Sequence, residues 1–262
     1  MKAYWMFGVK AFINQLSYRS EVWLRLLGNF VTILIQVEIW RAVIGGGTVE
    51  GIAADQMITY SILNTLLYGL LFNGMSEKVD NSLKSGAIAS ELIKPLSYPV
   101  YLFADGLGSA FYRFLFTAVP SLLVVWLCFG MLSPASGAYL AAFLISLCIA
   151  LLISFLLGYL ISLIAFWVMN HFALVWLLGG LTTLFSGSFL PLWFFPASWQ
   201  AVASALPFQF LGYVPAALYL GTLPMEQVAM LLGKGVIWTA VLVVFVNWLW
   251  RKAVRRLAVQ GG

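Results

Sequence analysis

Long apolar stretches separated by short polar segments run through the whole chain. A helix needs about 20 mainly apolar residues to cross the hydrocarbon core of a bilayer. Six stretches approach or exceed that length: Val22–Ile44, Gln56–Met75, Phe111–Leu132, Ala138–Phe166, Leu174–Leu190 and Met230–Trp250. Backbone amides in lipid must be hydrogen-bonded within the protein, and the strict alternation of a membrane β-barrel is not seen in the sequence. The pattern therefore predicts an all-α integral membrane protein with six transmembrane helices.

Charged residues make up 9% of the 262 residues, against about 25% in soluble domains. The alternative, a soluble protein with six buried core helices, fits this composition poorly. Most basic residues fall into three clusters: Lys2, Lys10, Arg19 and Arg25; Lys78, Lys84 and Lys94; Arg251, Lys252, Arg255 and Arg256. Short basic flanks of membrane spans stay in the cytoplasm, so both termini are expected inside. This topology, with attraction to anionic lipids, explains the net charge of +5 without nucleic acid.

Two segments outside the spans are rich in aromatic residues. Residues 1–20 interleave aromatic and aliphatic side chains with Lys2, Lys10 and Arg19, which predicts an interfacial helix on the cytoplasmic surface rather than an irregular tail. Leu190–Pro224 contains five prolines and no Lys, Arg, Asp or Glu. It predicts a re-entrant helical hairpin in the outer leaflet, between helices five and six. A seventh span is the alternative, but it would place the C-terminal basic cluster outside.

Ser76–Pro99, here called the polar loop, is the only sizeable polar stretch between spans. Gly86 suits a helix stop and Pro95 cannot continue a helix, so two short helices are expected. The loop also carries apolar residues that could remain exposed: Val79, Leu83, Ile88, Leu92 and Ile93. These favour a docking surface for a soluble partner over a solvated loop packed only on its own helices.

Isolated polar residues near the spans are expected to have structural roles. Arg113 is expected to snorkel from the third span to the inner headgroups. His171 is expected to be an interfacial residue of the turn between the fourth and fifth spans. Cys128 and Cys148 lie inside spans, where packing is their expected role.

The chain carries no complete catalytic or nucleotide-binding motif. Gly233-Lys234-Gly235 lacks the leading glycine and the following Ser or Thr of a phosphate-binding loop. Ser186-Gly187-Ser188 is not a nucleophile elbow, and neither an Asp nor a second His accompanies His171. Metal-ligand clusters and carboxylates in the middle of spans are also lacking, which argues against an ion-coupled carrier. If this protein transports a substrate, another subunit has to supply the energy.

Short patterns along nearly the whole chain resemble the ABC type-2 exporter permeases, in the branch of paired permeases with a separate ATPase. The stretches are Tyr18-Arg19-Ser20, Gln56-Met57-Ile58-Thr59-Tyr60, Ser85-Gly86-Ala87-Ile88-Ala89, Leu92-Ile93-Lys94-Pro95-Leu96-Ser97-Tyr98, Gly187-Ser188-Phe189-Leu190-Pro191-Leu192, Phe194-Phe195-Pro196, Leu206-Pro207-Phe208 and Val259-Gln260-Gly261-Gly262. Each pattern is degenerate, and their order and spacing carry the resemblance. It implies a single ABC type-2 transmembrane domain over residues 1–262, in a bacterial cytoplasmic membrane.

The resemblance also implies partners and sites. Two permeases, identical or paralogous, would join two ATPase subunits that bind ATP and Mg²⁺, while this chain binds no cofactor itself. A coupling helix within 77–94 would enter a groove of the ATPase, the interfacial helix would also touch the ATPase, and the hairpin would cap the exit. The residues implied in coupling are Glu77, Asp80, Asn81, Lys84, Ser85, Gly86, Ile88, Glu91 and Leu92. Those implied on the translocation path, on helices two and five, are Tyr60, Asn64, Tyr68, Phe72, Leu177, Thr182, Phe185 and Phe189.

The uncharged, aromatic character of that path favours a hydrophobic or amphipathic cargo, such as a drug or a lipid-like molecule. The sequence leaves two other functions open. One is a membrane interaction or immunity protein on the same fold. The other is a channel or carrier that works without an ATPase.

Overall fold

The computed structural model describes residues 2–17, 19–49, 51–71, 75–168 and 172–260, and most of these residues are helical. The α-helices are α1 (Lys2–Gln15), α2 (Arg19–Ile44), α3 (Ala54–Leu71), α4 (Met75–Lys84), α5 (Ala87–Leu92), α6 (Tyr98–Arg113), α7 (Val119–Phe129), α8 (Gly137–Ile164), α9 (Phe172–Phe185), α10 (Ala197–Ala205), α11 (Tyr213–Leu220) and α12 (Met225–Gln260). Two-residue strands β1 (Thr48–Val49) and β2 (Ile52–Ala53) pair antiparallel before α3. The all-α class predicted from the sequence is confirmed.

Four helices in the described part of the chain are long and apolar enough to cross a membrane: Ser20–Ile44, Tyr98–Phe129, Gly137–Ile164 and Met225–Arg255. The helices at the second and fifth predicted spans are shorter. The helix α3 has 18 residues and α9 has 14. The fifth predicted span extended to Leu190, but its helix ends at Phe185.

The helices α6 and α7 form one continuous rod through a π-helical turn at Phe114–Ala118. Pro120 stands at the start of α7. Proline has no N–H, and its ring would clash with the carbonyl of Phe116 in a regular α-helix. A π-helical turn widens the helical hydrogen-bond ladder at this point, which removes the clash between the proline ring and that carbonyl. The rod begins at Tyr98, well before the predicted start of the third span at Phe111.

The helix α8 lies at the centre of the fold and packs against α4, α11 and α12. Its inward side chains include Ile153, Tyr159 and Leu163, all buried in the largest apolar cluster. Near the C-terminal half of α12, Trp250 stacks on Tyr98 with ring centroids 5.3 Å apart. The end of α12 is therefore fixed against the beginning of α6.

The helix α1 packs closely along α6. A Cβ on Gly108 would overlap the backbone carbonyl of Gly8, and a Cβ on Gly8 would lie 3.0 Å from the carbonyl oxygen of Ala104. Small residues four apart on α6 thus let the two backbones touch. The opposite side of α1 exposes apolar side chains to the surroundings: Trp5, Met6, Val9 and Ile13.

Two expectations about isolated residues are wrong. Arg113 does not snorkel: its side chain is buried, and its Nη2 donates to the carbonyl oxygen of Leu70 at 3.2 Å. Ser154 on α8 donates to the next carbonyl, that of Leu71, at 2.7 Å, so both satisfy acceptors at the C-terminal end of α3. Cys128 and Cys148 are exposed and do not pack within the chain. The prediction for His171 lies outside the described residues.

Candidate coupling surface and buried polar site

The polar loop folds as the two short helices α4 and α5, as the sequence predicted. Gly86 joins them with φ of +72°, a left-handed conformation that glycine adopts without steric cost. The helix α4 packs on α5 and on the central helix α8. The polar loop is therefore attached to the core of the bundle.

The apolar residues of the polar loop face mainly inward, which corrects the argument for a docking surface made of exposed apolar residues. Val79 and Ile88 are buried in the main core cluster, and Leu83 and Leu92 pack partly against it. Ile93 alone of the five remains largely exposed, at 83%. The outward face is instead polar.

The residues implied in coupling divide by burial. Those on the outward face are Glu77, Asn81, Lys84, Ser85 and Gly86; those half-buried are Asp80, Glu91 and Leu92; and Ile88 is buried. Ile88 supports the loop from below and offers no docking contact. The outward group, here called the polar face, is the part available to a partner.

Hydrogen bonds within the polar loop hold this face in shape. Ser82 Oγ donates to Glu91 Oε2 at 3.0 Å and joins α4 to α5. Lys84 Nζ lies 2.5 Å from Asp80 Oδ2, one turn away on α4. Ser85 Oγ donates to the carbonyl oxygen of Asn81 at 2.7 Å. The loop is thus a small folded unit whose half-buried Glu91 is an internal link.

An ion pair ties the polar loop to the long rod. Lys78 Nζ on α4 lies 2.6 Å from Asp105 Oδ2 on α6, and the Asp105 side chain is only 21% exposed. The same ammonium group sits 5.3 Å from the ring centroid of Tyr101, within range of a cation–π interaction. This pair was missed from the sequence. The available signal was that Asp105 is the sole acidic residue between Tyr98 and Gly137.

The helix α1 is also joined to this region. Tyr4 Oη accepts a hydrogen bond from the backbone N–H of Ser97 at 2.8 Å. Phe7 packs edge-to-face on Tyr101 with ring centroids 4.7 Å apart. Displacement of α1, α4 or α6 would therefore disturb the other two.

The residues implied on the translocation path also divide by burial. The buried ones are Tyr60, Asn64, Thr182 and Phe185; the exposed ones are Tyr68, Leu177 and Phe189. Phe72 lies outside the described residues. The structure brings Asn64, Tyr68 and Thr182 together around one small cavity between α3 and α9. Leu177 and Phe189 do not line that cavity.

A buried polar cluster surrounds this cavity. Tyr60 Oη donates to the carbonyl oxygen of Gly187 at 2.6 Å, and Asn64 Nδ2 donates to the carbonyl oxygen of Tyr60 at 3.0 Å. Ser186 Oγ and Ser188 Oγ lie 2.9 Å apart. The cluster anchors the chain just after α9 to α3.

Comparison with known families settles the class of this fold. The sequence profile described as ABC-2 family transporter protein matches residues 26–261. The chain belongs to this ABC-2 transporter family. No curated protein matches the chain in a direct comparison. The matched range begins within α2, so α1 lies outside it.

Membership makes this chain a transmembrane permease of an ABC transporter, one that is not itself catalytic and that works with an ABC ATPase. In the described structure the polar face is exposed, and α4 connects it to α6 and to α8.

Two apolar clefts open on the sides of this ABC-2 permease. The larger, about 570 Å³, lies between α3, the α6–α7 rod and α8, and the π-helical turn forms part of its wall. The smaller, about 380 Å³, lies between α2 and the segment that follows α9, with Trp40 and Phe194 among its lining residues. Both have volumes in the range of small-molecule sites, and both walls are mainly apolar.

Replacing Tyr60 by phenylalanine is expected to destabilise the permease. The change removes the hydroxyl that satisfies the buried carbonyl of Gly187, at a cost of about 1–2 kcal/mol. The apparent Tm of the purified protein should fall by about 3–6 °C. Tyr219→Phe is the matched control, because that hydroxyl bonds an exposed carbonyl, and it should change Tm much less. Equal shifts in both variants would contradict the anchoring role of Tyr60.

Proposed function

We propose that this ABC-2 permease is the membrane subunit of an ATP-driven exporter, which moves a hydrophobic or amphipathic molecule, such as a drug or lipid-like compound, out of the cytoplasm or inner leaflet. Two ATPase subunits bind ATP and Mg²⁺, and this chain supplies the path. The observation that carries the proposal is the exposed polar face, held to the long rod by the Lys78–Asp105 pair. Through this face, a movement of a soluble subunit can be transmitted to the membrane helices.

The distribution of charge supports the proposed orientation in a bacterial cytoplasmic membrane. The basic clusters of the α4–α5 region and of the end of α12 lie at one end of the bundle, where Tyr98 and Trp250 stack. By the positive-inside rule, the proposed location of that end and of both termini is the cytoplasm. With α3 and α9 counted as spans, the proposed number of transmembrane helices is six, and α10 and α11 form the proposed re-entrant hairpin in the outer leaflet.

The two apolar clefts support the choice of cargo. Their walls are mainly aliphatic and aromatic, and a charged solute would lose its hydration there without gaining a partner. A molecule with a large apolar part can instead enter from the bilayer through either open side.

The outward side of α9 supports a second permease subunit, identical or paralogous. In the described structure α9 packs mainly on the 3₁₀ turn at Pro207–Leu211. Trp176, Leu177 and Leu184 are exposed along it, and a Cβ on Gly180 would meet open space. Small and large apolar residues on one exposed stripe suit close packing between membrane helices. A partner covering this stripe would complete the path.

Co-purification tests the proposed role of the polar face. The full permease, expressed with its cognate ABC ATPase, should retain the ATPase through purification. Asn81→Arg puts a bulky cation on the polar face without touching the core, and it should reduce retained ATPase at least tenfold. Gln227→Arg makes a comparable change at the exposed start of α12, at the other end of the bundle, and should retain wild-type binding.

Other outcomes would favour the functions left open by the sequence. Full retention of the ATPase by the Asn81→Arg variant would remove the polar face from the docking site. Leak or uptake of solute in liposomes that contain this chain alone would indicate a channel or carrier. Stable binding to a non-ATPase membrane protein, with no ATP-dependent transport, would indicate an interaction or immunity role.

A further inference from the structure

The small cavity between α3 and α9 holds two unsatisfied polar atoms. Asn64 and Thr182 are each 2% exposed. Asn64 Oδ1 and Thr182 Oγ1 have no hydrogen-bond partner among the described residues. Both residues line the same cavity of about 10 Å³. Leaving two such atoms without a hydrogen-bond partner in the interior costs about 1–3 kcal/mol each.

The local backbone keeps this space open. A Cβ on Gly212 would lie 2.5 Å from Asn64 Oδ1 and 2.9 Å from the carbonyl oxygen of Ser186. Glycine at this position therefore leaves room for the amide of Asn64. Ser186 and Ser188 add hydroxyl groups to the lining of the cavity, while Leu211 closes it on an apolar side.

We infer that this cavity binds one water molecule, which donates a hydrogen bond to Asn64 Oδ1, bonds Thr182 Oγ1 and so joins α3 to α9. The volume is about the minimum that holds a single water, and a buried water needs two to four polar partners, which the two atoms and the serine hydroxyls provide. The lining contains no carboxylate, so a cation would lack a compensating charge.

The consequence is that a bound water molecule helps to hold α9 to α3. In the described structure α9 packs mainly on the 3₁₀ turn at Pro207–Leu211 within its own chain. A water bridge is nearly as favourable as a direct hydrogen bond, and losing it would leave both side chains without a partner. This inference concerns the permease by itself and does not depend on the proposed export function.

The sign of one substitution tests the inference. Thr182→Val removes the hydroxyl and keeps the shape of the side chain. If the hydroxyl bonds a water, the apparent Tm of the purified permease in nanodiscs should fall by about 3 °C. If the hydroxyl is truly unpaired, the same change removes a buried polar group without a partner, and Tm should rise. A rise, or no change, would overturn the inference.

Two controls and a direct observation complete the test. Thr183→Val is the matched control, because Thr183 is exposed and bonds only the carbonyl of Gly179 in its own helix; its Tm should stay unchanged. Thr182→Ser should keep most of the wild-type stability. A cryo-EM map of the wild-type permease that resolves ordered water should show density between Asn64 and Thr182. Absent density there, or a Tm that falls when Na⁺ is replaced by choline, would refute a water site.

Discussion

Replacing Gly108 by valine should detach α1 from the rest of the permease. Any Cβ at position 108 overlaps the carbonyl of Gly8 on the facing helix. Both atoms are fixed by the backbone of their helix, so neither can rotate away. The helices must separate, which costs about 3 kcal/mol, the upper end of the typical cost of overpacking. We expect the yield of monodisperse protein to fall severely, and the protein that remains should lose α1 to limited proteolysis much faster than the wild type.

Gly28→Val is the matched control for this experiment. A Cβ on Gly28 meets no atom within 4 Å, so the same substitution on α2 should leave yield and proteolysis nearly unchanged. If Gly108→Val behaves like this control, the close contact between α1 and α6 does not exist in the native protein.

Reversing the charge of Lys78 is expected to uncouple ATP hydrolysis from transport. Lys78→Glu replaces the pair with Asp105 by two like charges at close range, and α4 should move away from α6. A change of about 1.4 kcal/mol in coupling corresponds to about a tenfold effect. ATP-driven transport should therefore fall at least tenfold, while binding of the ATPase subunit is retained, because the polar face itself is unaltered.

The double variant Lys78→Asp/Asp105→Lys decides whether the pair itself matters. It restores opposite charges across the same gap, and transport should recover to a large fraction of the wild-type rate. Arg41→Glu is the control for charge reversal as such, since Arg41 pairs with Glu38 within α2 on an exposed surface. Lack of recovery in the double variant, with all proteins folded, would show that Lys78 acts through something other than Asp105.

The sequence predicted the segments governed by local rules. Gly86 was expected to end a helix, and its positive φ between α4 and α5 confirms it. The long apolar stretches predicted membrane helices, and four of these meet the length and composition required. Local conformational preference and hydrophobic length need no knowledge of distant contacts, which is why both could be read directly.

The errors arose where distant contacts decide the outcome. The sequence predicts Pro99 as the last residue of the polar loop, yet proline near the first turn favours a helix start, and the rod begins at Tyr98. Arg113 therefore lies one full helix beyond the start of the rod. It packs against α3 instead of reaching the headgroups. Val79 and Ile88 are buried in the core cluster that includes α8, and α8 follows them by more than 45 residues of sequence.

Local rules also do not say which of the residues implied on the translocation path lie together. Asn64, Tyr68 and Thr182 meet at one cavity, although helical phase could not be fixed in advance. Leu177 and Phe189 face elsewhere. The Lys78–Asp105 pair joins two helices across the boundary between loop and span, and no sequence periodicity relates such positions.

The widened turn at Phe114–Ala118 has a consequence for reading any scan of this region. It accommodates one residue more than a regular α-helix would over the same rise. The side chains beyond the turn are therefore rotated by about 100° around the helix axis. Positions on either side that share a stripe on a helical wheel therefore point in different directions. A cysteine-accessibility profile from Tyr98 to Phe129 should show one periodicity in the first half and a phase-shifted copy in the second.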